Sequence, residues 1–141
     1  MEVKNMEECV FCRIVRGELP AAKIYEGERS LAFLDINPIS PGHTLVIPKE
    51  HASSLVELDD ATTADVFNAV RMVMRMLKVA LHPDGFNIGI NDGKAAGQEI
   101  MHVHVNVIPR YEGDGGKPVQ SIVRNPPRES VEEIAEKIKR V

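Results

Sequence analysis

The chain has no tryptophan, only two cysteines, and just 4% aromatic residues among its 141. Its core must therefore be filled mainly by aliphatic side chains, and two cysteines exclude the dense disulfide framework of small secreted domains. No run approaches the ~18 consecutive apolar residues that a membrane-spanning helix needs, so membrane insertion is not expected. Glu2, Glu7 and Glu8 make the N-terminus unlike a secretory signal. The expected compartment is the cytoplasm, where a cysteine pair serves as free thiols or metal ligands more often than as a disulfide. Positive charge is not in excess either: 17 Lys and Arg face 21 Asp and Glu, for a net charge of −4. A global field that would attract nucleic acid is thus lacking. Any phosphate-bearing ligand has to be gripped by a local site.

What is present fits one domain over residues 1–141, since domains most often run to about 100–150 residues. After a loose lead-in over 1–8, Cys9-Val-Phe-Cys12 opens a short segment that ends at the Gly17–Pro20 turn. Strand-like runs at 22–25, 31–34 and 43–47 follow, separated by a hairpin connection and the Pro/Gly-rich turn 37–42. From 60 to 81 the period changes to three and four: Val66, Val70, Val73, Met74, Leu77 and Leu81 mark one buried helix face. Asp59 and Asp60 stand where an N-cap belongs, and Pro83 and Gly85 follow the end. Phe86, Ile88 and Ile90 alternate as in a strand, and 100–108 is the last strong strand. Residues 111–127 read as a surface excursion. Ser130-Val-Glu-Glu133 resembles a capping box before a short C-terminal helix carrying Val131, Ile134 and Ile138. This order predicts an α+β fold with an antiparallel sheet of about five strands.

The chemistry concentrates in His102-Val-His104-Val-Asn106-Val-Ile108. Strand alternation puts His102, His104 and Asn106 on one face and the valines on the other. Neutral imidazole is a nucleophile near pH 7, and the hydrogen bond at one ring nitrogen selects the other for attack. Alternation alone would equally describe a half-exposed strand with a polar outer face. Upstream, Asn91-Asp-Gly-Lys-Ala-Ala-Gly97-Gln98 is a small flexible loop whose glycines let backbone N–H groups approach an oxyanion. By itself it could as well be a turn. Cys9-x-x-Cys12 has the spacing of a zinc half-site, and any further ligands would have to be histidines. His82, beside Pro83 at a helix end, reads as a solvated or dipole-favoured residue.

The stretch Gly97-Gln-Glu-Ile-Met-His102-Val-His104-Val-Asn106-Val-Ile-Pro-Arg110 resembles the signature of the histidine-triad family. Leu34-Asp35-Ile36, followed by Pro41-Gly-His43-Thr-Leu-Val-Ile-Pro-Lys-Glu-His51, resembles that family's other hallmark. The match spans roughly 9–112, leaving 113–141 as a C-terminal excursion and helix, and it is nearest the Hint-like prokaryotic and archaeal branch. The resemblance implies a fold of that family, dimerised into one continuous sheet. It implies His104 as the nucleophile that takes up a nucleotidyl group and His43 as its support. Asp35 would hold the ribose hydroxyls, Ile36 would line the nucleoside pocket, and Asn91, Gly97, Gln98 and the Glu99 backbone would bind phosphate. Many prokaryotic members close a structural zinc site with two further histidines, which here would be His51 and His102 beside Cys9 and Cys12.

The family has His where this chain has Asn106. An imidazolium can hand a proton to a leaving group, a service worth about 10²–10⁴-fold, whereas an amide can only donate a hydrogen bond. The transferase branch uses Gln here, one methylene longer. Three functions follow: a hydrolase at the α-phosphate of purine nucleoside phosphoramidates with reduced turnover, a nucleotidyl transferase, or a nucleotide-binding module with impaired chemistry.

Overall fold

The computed structural model describes residues 8–141, so all of the lead-in over 1–8 except Glu8 lies outside the described residues. Five strands, β1 (Lys23–Glu26), β2 (Ser30–Leu34), β3 (Thr44–Pro48), β4 (Gly85–Gly89) and β5 (Val105–Arg110), form one sheet in the order β1-β2-β3-β5-β4. Every neighbouring pair is antiparallel. The predicted α+β class and strand count are thus observed. Among the described residues three helices accompany the sheet: α1 (Val10–Val15), α2 (Asp60–Leu81) and α3 (Val131–Lys139). No helix among the described residues is long and apolar enough to cross a membrane.

Helix α2 begins where the sequence says it should. Asp59 caps it by accepting the Thr62 N–H at 2.8 Å, and His82 ends it in the left-handed conformation with φ 53°. His82 is exposed, as a solvated histidine would be. Val66, Ala69, Val70, Val73 and Leu77 pack onto Ala32, Val46, Val105 and Val107 of the sheet. Each fully buried aliphatic side chain there contributes about 1.5–3 kcal/mol relative to exposure. Leu81 departs from the predicted buried stripe and is 42% exposed.

The opposite sheet face is only partly covered. Leu31, Phe33, Leu45 and Ile47 receive Phe11 and Ile14 from α1, which the sequence pattern marked only as a short segment. Beyond α1, the β5 residues Asn106 and Ile108 and the preceding His104 remain half-buried. This leaves a ledge of open sheet beside a covered one, and the ledge carries the candidate chemistry. Residues 111–127 do run along the surface, with one 3-10 turn at Val119–Ile122. The capping box of α3 forms as read, Ser130 Oγ accepting the Glu133 N–H at 3.1 Å and Glu133 accepting the Ser130 N–H at 3.3 Å. Its apolar residues do not enter the core: Val131 and Ile138 stay exposed.

Candidate functional site

The last strand is shorter than its alternation predicts. Pairing begins at Val105, and residues 100–104 leave the sheet in a bend tied down by Val103 N–H to the Ala52 carbonyl at 2.7 Å. His102 consequently does not share an open face with His104 and Asn106. It turns inward and is fully buried, while His104 and Asn106 stay half-buried. Val103, Val105 and Val107 are buried as the alternation requires.

Each histidine is held by a hydrogen bond that fixes its tautomer. His104 Nδ1 lies 2.8 Å from the His102 carbonyl. A carbonyl can only accept, so Nδ1 carries the proton and Nε2 keeps a free lone pair. The Phe11 ring packs edge-on against the imidazole at 5.2 Å, an apolar wall that no motif in the sequence marks. His43 follows the turn 37–42 and is buried. Its Nδ1 accepts the Ile39 N–H at 3.3 Å, so its Nε2–H donates to Asn106 Oδ1 at 2.9 Å. Asp35 Oδ2 stands 3.8 Å from the same nitrogen. With its carbonyl committed to His43, Asn106 directs its amide nitrogen to the Gly89 carbonyl at 3.4 Å. That contact is long, and the second N–H has no protein acceptor among the described residues.

The turn that delivers His43 is tightly fitted. Gly42 has φ +90°, and a Cβ there would lie 2.7 Å from Leu81 Cδ1, 3.1 Å from Leu77 Cδ2 and 3.2 Å from Pro109 Cγ. Only glycine combines that dihedral with that proximity. Ile36, on the preceding turn, is 88% exposed.

The loop from 91 to 99 is built as a cradle. Gly93 and Gly97 both have φ +95°, and a single 3-10 turn, Lys94–Ala96, lies between them. Gln98 is buried and braces the loop: its Oε1 accepts the Gly93 N–H at 2.8 Å, and its amide donates to the Ser53 carbonyl at 2.9 Å. The Gln98 side chain is therefore spent on the loop's shape. The Glu99 N–H has no protein acceptor among the described residues, and Asn91 is exposed beside Gly97. Asp92, which the sequence did not single out, anchors the loop by accepting the Leu55 N–H at 2.9 Å and the Ser54 hydroxyl at 3.2 Å. An aspartate just before a Gly-rich turn is the only signal it offered.

Below this ledge, Cys9, Cys12, His51 and His102 converge, their ligand atoms all within 4.8 Å of one another. Cys12 Sγ is 3.3 Å from His51 Nδ1 and 3.5 Å from His102 Nδ1, and Cys9 Sγ is 3.4 Å from His102 Nδ1. Tetrahedral zinc with ordinary Zn–S and Zn–N bonds holds sulfur and nitrogen about 3.5 Å apart, so the four residues fit the ion. His102 Nε2 donates to the Pro48 carbonyl at 2.9 Å, which presents Nδ1 to the sulfurs as a lone pair. Burial and the neighbouring Cys9 push the Cys12 thiol up to about 12. Burial also holds His102 down to about 4. Such a pocket favours neutral groups until a cation arrives and reverses the preference.

The HIT domain model matches residues 16–113. The chain belongs to the HIT family. An uncharacterised HIT-like protein of Methanocaldococcus jannaschii is 50% identical over 107 residues, covering 76% of this chain and 82% of its own. The adenosine 5′-monophosphoramidase of Schizosaccharomyces pombe is 42% identical over 93% of this chain and 98% of its own. Among solved structures, a HIT-family protein from Bacillus subtilis superposes with a TM-score of 0.83 at 37% identity, covering 94% of this chain and 96% of its own. A zinc-bound histidine-triad protein from Mycobacterium smegmatis superposes at 0.75 with 45% identity, over 88% of this chain and 87% of its own. Cys9 and Cys12 precede the HIT match, so the candidate metal site joins an N-terminal helix to the HIT sequence proper.

Proposed function

We propose that this HIT protein hydrolyses purine nucleoside phosphoramidates, or related nucleotides, at the α-phosphate through a nucleotidyl-His104 intermediate. The observation that carries the reading is the His104 ring itself. Its Nδ1 proton is committed to the His102 carbonyl, leaving Nε2 as a lone pair on the open ledge. Similarity to a monophosphoramidase from S. pombe supports the reaction class. Asp35 takes the ribose hydroxyls and Ile36 covers the nucleoside. The cradle, through Asn91, Gly97 and the free Glu99 N–H, receives the phosphoryl oxygens, while Gln98 holds its shape.

In the first step His104 Nε2 bonds to phosphorus as the P–N bond to the leaving amine breaks, and the amine departs with a proton drawn from solvent. Water then adds to phosphorus as the His104 Nε2–P bond breaks, the nucleotide leaves carrying the water oxygen, and one proton of that water passes to solvent, balancing the one taken by the amine. His43 and Asn106 hold each other in place, and Asn106 offers its unengaged N–H to the phosphoryl group. Because it supplies no proton, turnover is slower than a third histidine would allow. The same amide supports a second reading, in which the intermediate persists and passes its nucleotidyl group to an acceptor other than water, or in which the protein only binds nucleotide.

Zinc on Cys9, Cys12, His51 and His102 would supply structure, not chemistry: four protein ligands leave no position for substrate. The zinc-bound M. smegmatis relative supports that ion. We further propose one domain over 1–141, a cytoplasmic setting consistent with two free thiols, and a homodimer joined through the unpaired outer edge of β4 and exposed α2 residues such as Phe67 and Met76.

The test is a time course with adenosine 5′-phosphoramidate, quenched without acid and read by mass spectrometry for AMP and intact protein. Many AMP per chain establishes the hydrolase. One retained adenylyl group per chain establishes attack without release. If neither AMP nor an adduct forms, the reading falls.

A further inference from the structure

The four residues of the metal site come from very different places in the chain. Cys9 and Cys12 share a single turn, Cys9 as the N-cap of α1 and Cys12 inside it. Val10 and Phe11 between them are helical, which sets the two Cα atoms about 5 Å apart, inside the span of a disulfide. Cys9 Sγ already lies over that turn, accepting the Cys12 N–H at 3.4 Å. The pair can therefore close on itself without moving the rest of the fold. His51 and His102 come from distant segments and have no such local partner. The His51 side chain has one hydrogen-bond partner among the described residues, Cys12 Sγ at 3.3 Å. A cavity of about 140 Å³ beside it, lined by Glu50, His51, Ala52, Ser53 and Glu57, leaves it room to shift.

Both histidines lead to the open ledge. Residues 51–55 run from the metal site to the cradle: the Ala52 carbonyl accepts the Val103 N–H, the Ser53 carbonyl accepts the Gln98 amide, and the Leu55 N–H donates to Asp92. From His102, the backbone carbonyl holds the His104 ring. Phe11, between the two cysteines, packs edge-on against both imidazoles, 5.8 Å from His102 and 5.2 Å from His104. These three paths meet at the cysteine pair.

We propose that Cys9 and Cys12 are a redox-controlled pair: a peroxide joins them in a disulfide, which ejects the metal ion, loosens the cradle and His104, and weakens nucleotide binding. The proposal rests on the readings of these four residues as a zinc site and of the 91–99 loop as a phosphate site. Cys9 is partly exposed and Cys12 is buried, so the oxidant meets Cys9 first. Oxygen transfer to Cys9 Sγ gives a sulfenic acid and the first water; Cys12 Sγ then attacks that sulfur and displaces the second. In sum, two thiolates, two protons and one hydrogen peroxide become one disulfide and two waters. The two electrons lost by sulfur reduce the peroxide. Disulfide sulfur carries no charge, so a cation would keep only two neutral histidine ligands, too few for a closed site. His51 and His102 then lose what joined them, and the segments they lead lose an anchor at that end. A thiol reductant reverses the step by exchange. In a reducing compartment, transient disulfides of this kind are the ones that serve as sensors.

The test uses the full chain, reduced and loaded with zinc, before and after hydrogen peroxide in small molar excess. A chromophoric chelator follows zinc release relative to untreated protein, peptide mapping by mass spectrometry follows the Cys9–Cys12 link, and calorimetry follows AMP affinity. One zinc should leave for each disulfide formed, and AMP should bind about tenfold more weakly. Dithiothreitol with added zinc should restore both, a recovery that oxidised methionine or over-oxidised cysteine would not show. Zinc retained, zinc lost without the Cys9–Cys12 disulfide, or a disulfide that leaves AMP affinity unchanged overturns the proposal and leaves the zinc and nucleotide readings standing. Reduced protein that takes up no zinc overturns the metal reading, reduced protein that binds no AMP overturns the nucleotide reading, and either result takes the proposal with it.

Discussion

His102 and His104 are two residues apart and chemically identical, yet they sit in opposite environments. His102 is sealed under α1, its Nε2 donating to the Pro48 carbonyl and its Nδ1 aimed at two sulfurs. His104 is half-buried on the open ledge, its Nδ1 donating to the His102 carbonyl and its Nε2 unengaged. One is fixed as the Nε2–H tautomer and the other as the Nδ1–H tautomer. Two backbone carbonyls, more than burial or spacing, decide which ring turns Nδ1 to the sulfurs and which keeps Nε2 free. The arrangement is also serial: the carbonyl that orients His104 belongs to His102, so whatever anchors His102 steadies the His104 ring.

The sharpest way to break this contrast is His104→Ala. Adenylylation should vanish, with a loss of at least about 10³-fold in turnover, while nucleotide affinity stays within about tenfold in calorimetry. Asn106→His should act in the opposite direction. Hydrolysis rises by about 10²-fold when the departing amine is offered a proton, as steady-state assays would show. An unchanged rate would mean the amine needs no such help. On the buried side, Cys12→Ser should abolish binding of one zinc per chain and cost about 3 kcal/mol, roughly 10 °C in Tm. Elemental analysis and calorimetry check both. The loss should also slow His104 adenylylation several-fold, because the His102 carbonyl is no longer fixed; an unaffected rate would show that the two histidines are independent. The smallest effect belongs to neither site. The backbone N–H of Thr62 holds the Asp59 carboxylate below its ordinary value near 3.8. Its contribution is therefore complete above that value and fades as pH falls below it. Asp59→Ala should lower Tm slightly at pH 7 and make the melting temperature less sensitive to acid.

Much of this was legible in the sequence. The 60–81 helix and its Asp59 cap follow from period and capping chemistry, and so does the Ser130–Glu133 box. The two resembling blocks single out His43 and the 91–99 loop, but not the bond from His43 to Asn106. What the residues hid is instructive. Alternation over 100–108 predicted one long strand, but the Val103–Ala52 hydrogen bond ends pairing at Val105 and turns His102 inward. A single non-local bond overrides period two. Gln98 reads as a ligand group until its bonds to Gly93 and Ser53 are known. Asp92 and Phe11 act only through residues about 40 and 90 positions away, contacts that no local pattern encodes. Leu81 obeys the helix period yet stays 42% exposed, because the Gly42 turn covers only part of it.

The missing Cβ at Gly42 has a consequence for how the family can vary. Three separate stretches meet at that point: the end of α2 through Leu77 and Leu81, the end of β5 through Pro109, and the turn that delivers His43. Random libraries that diversify positions 42, 77, 81 and 109 together should return glycine at 42 almost without exception. The rare survivors should carry smaller residues at both 77 and 81. Such linked substitutions would make position 42 a site where sequence drift in a distant helix is read out as a change in the turn that carries His43.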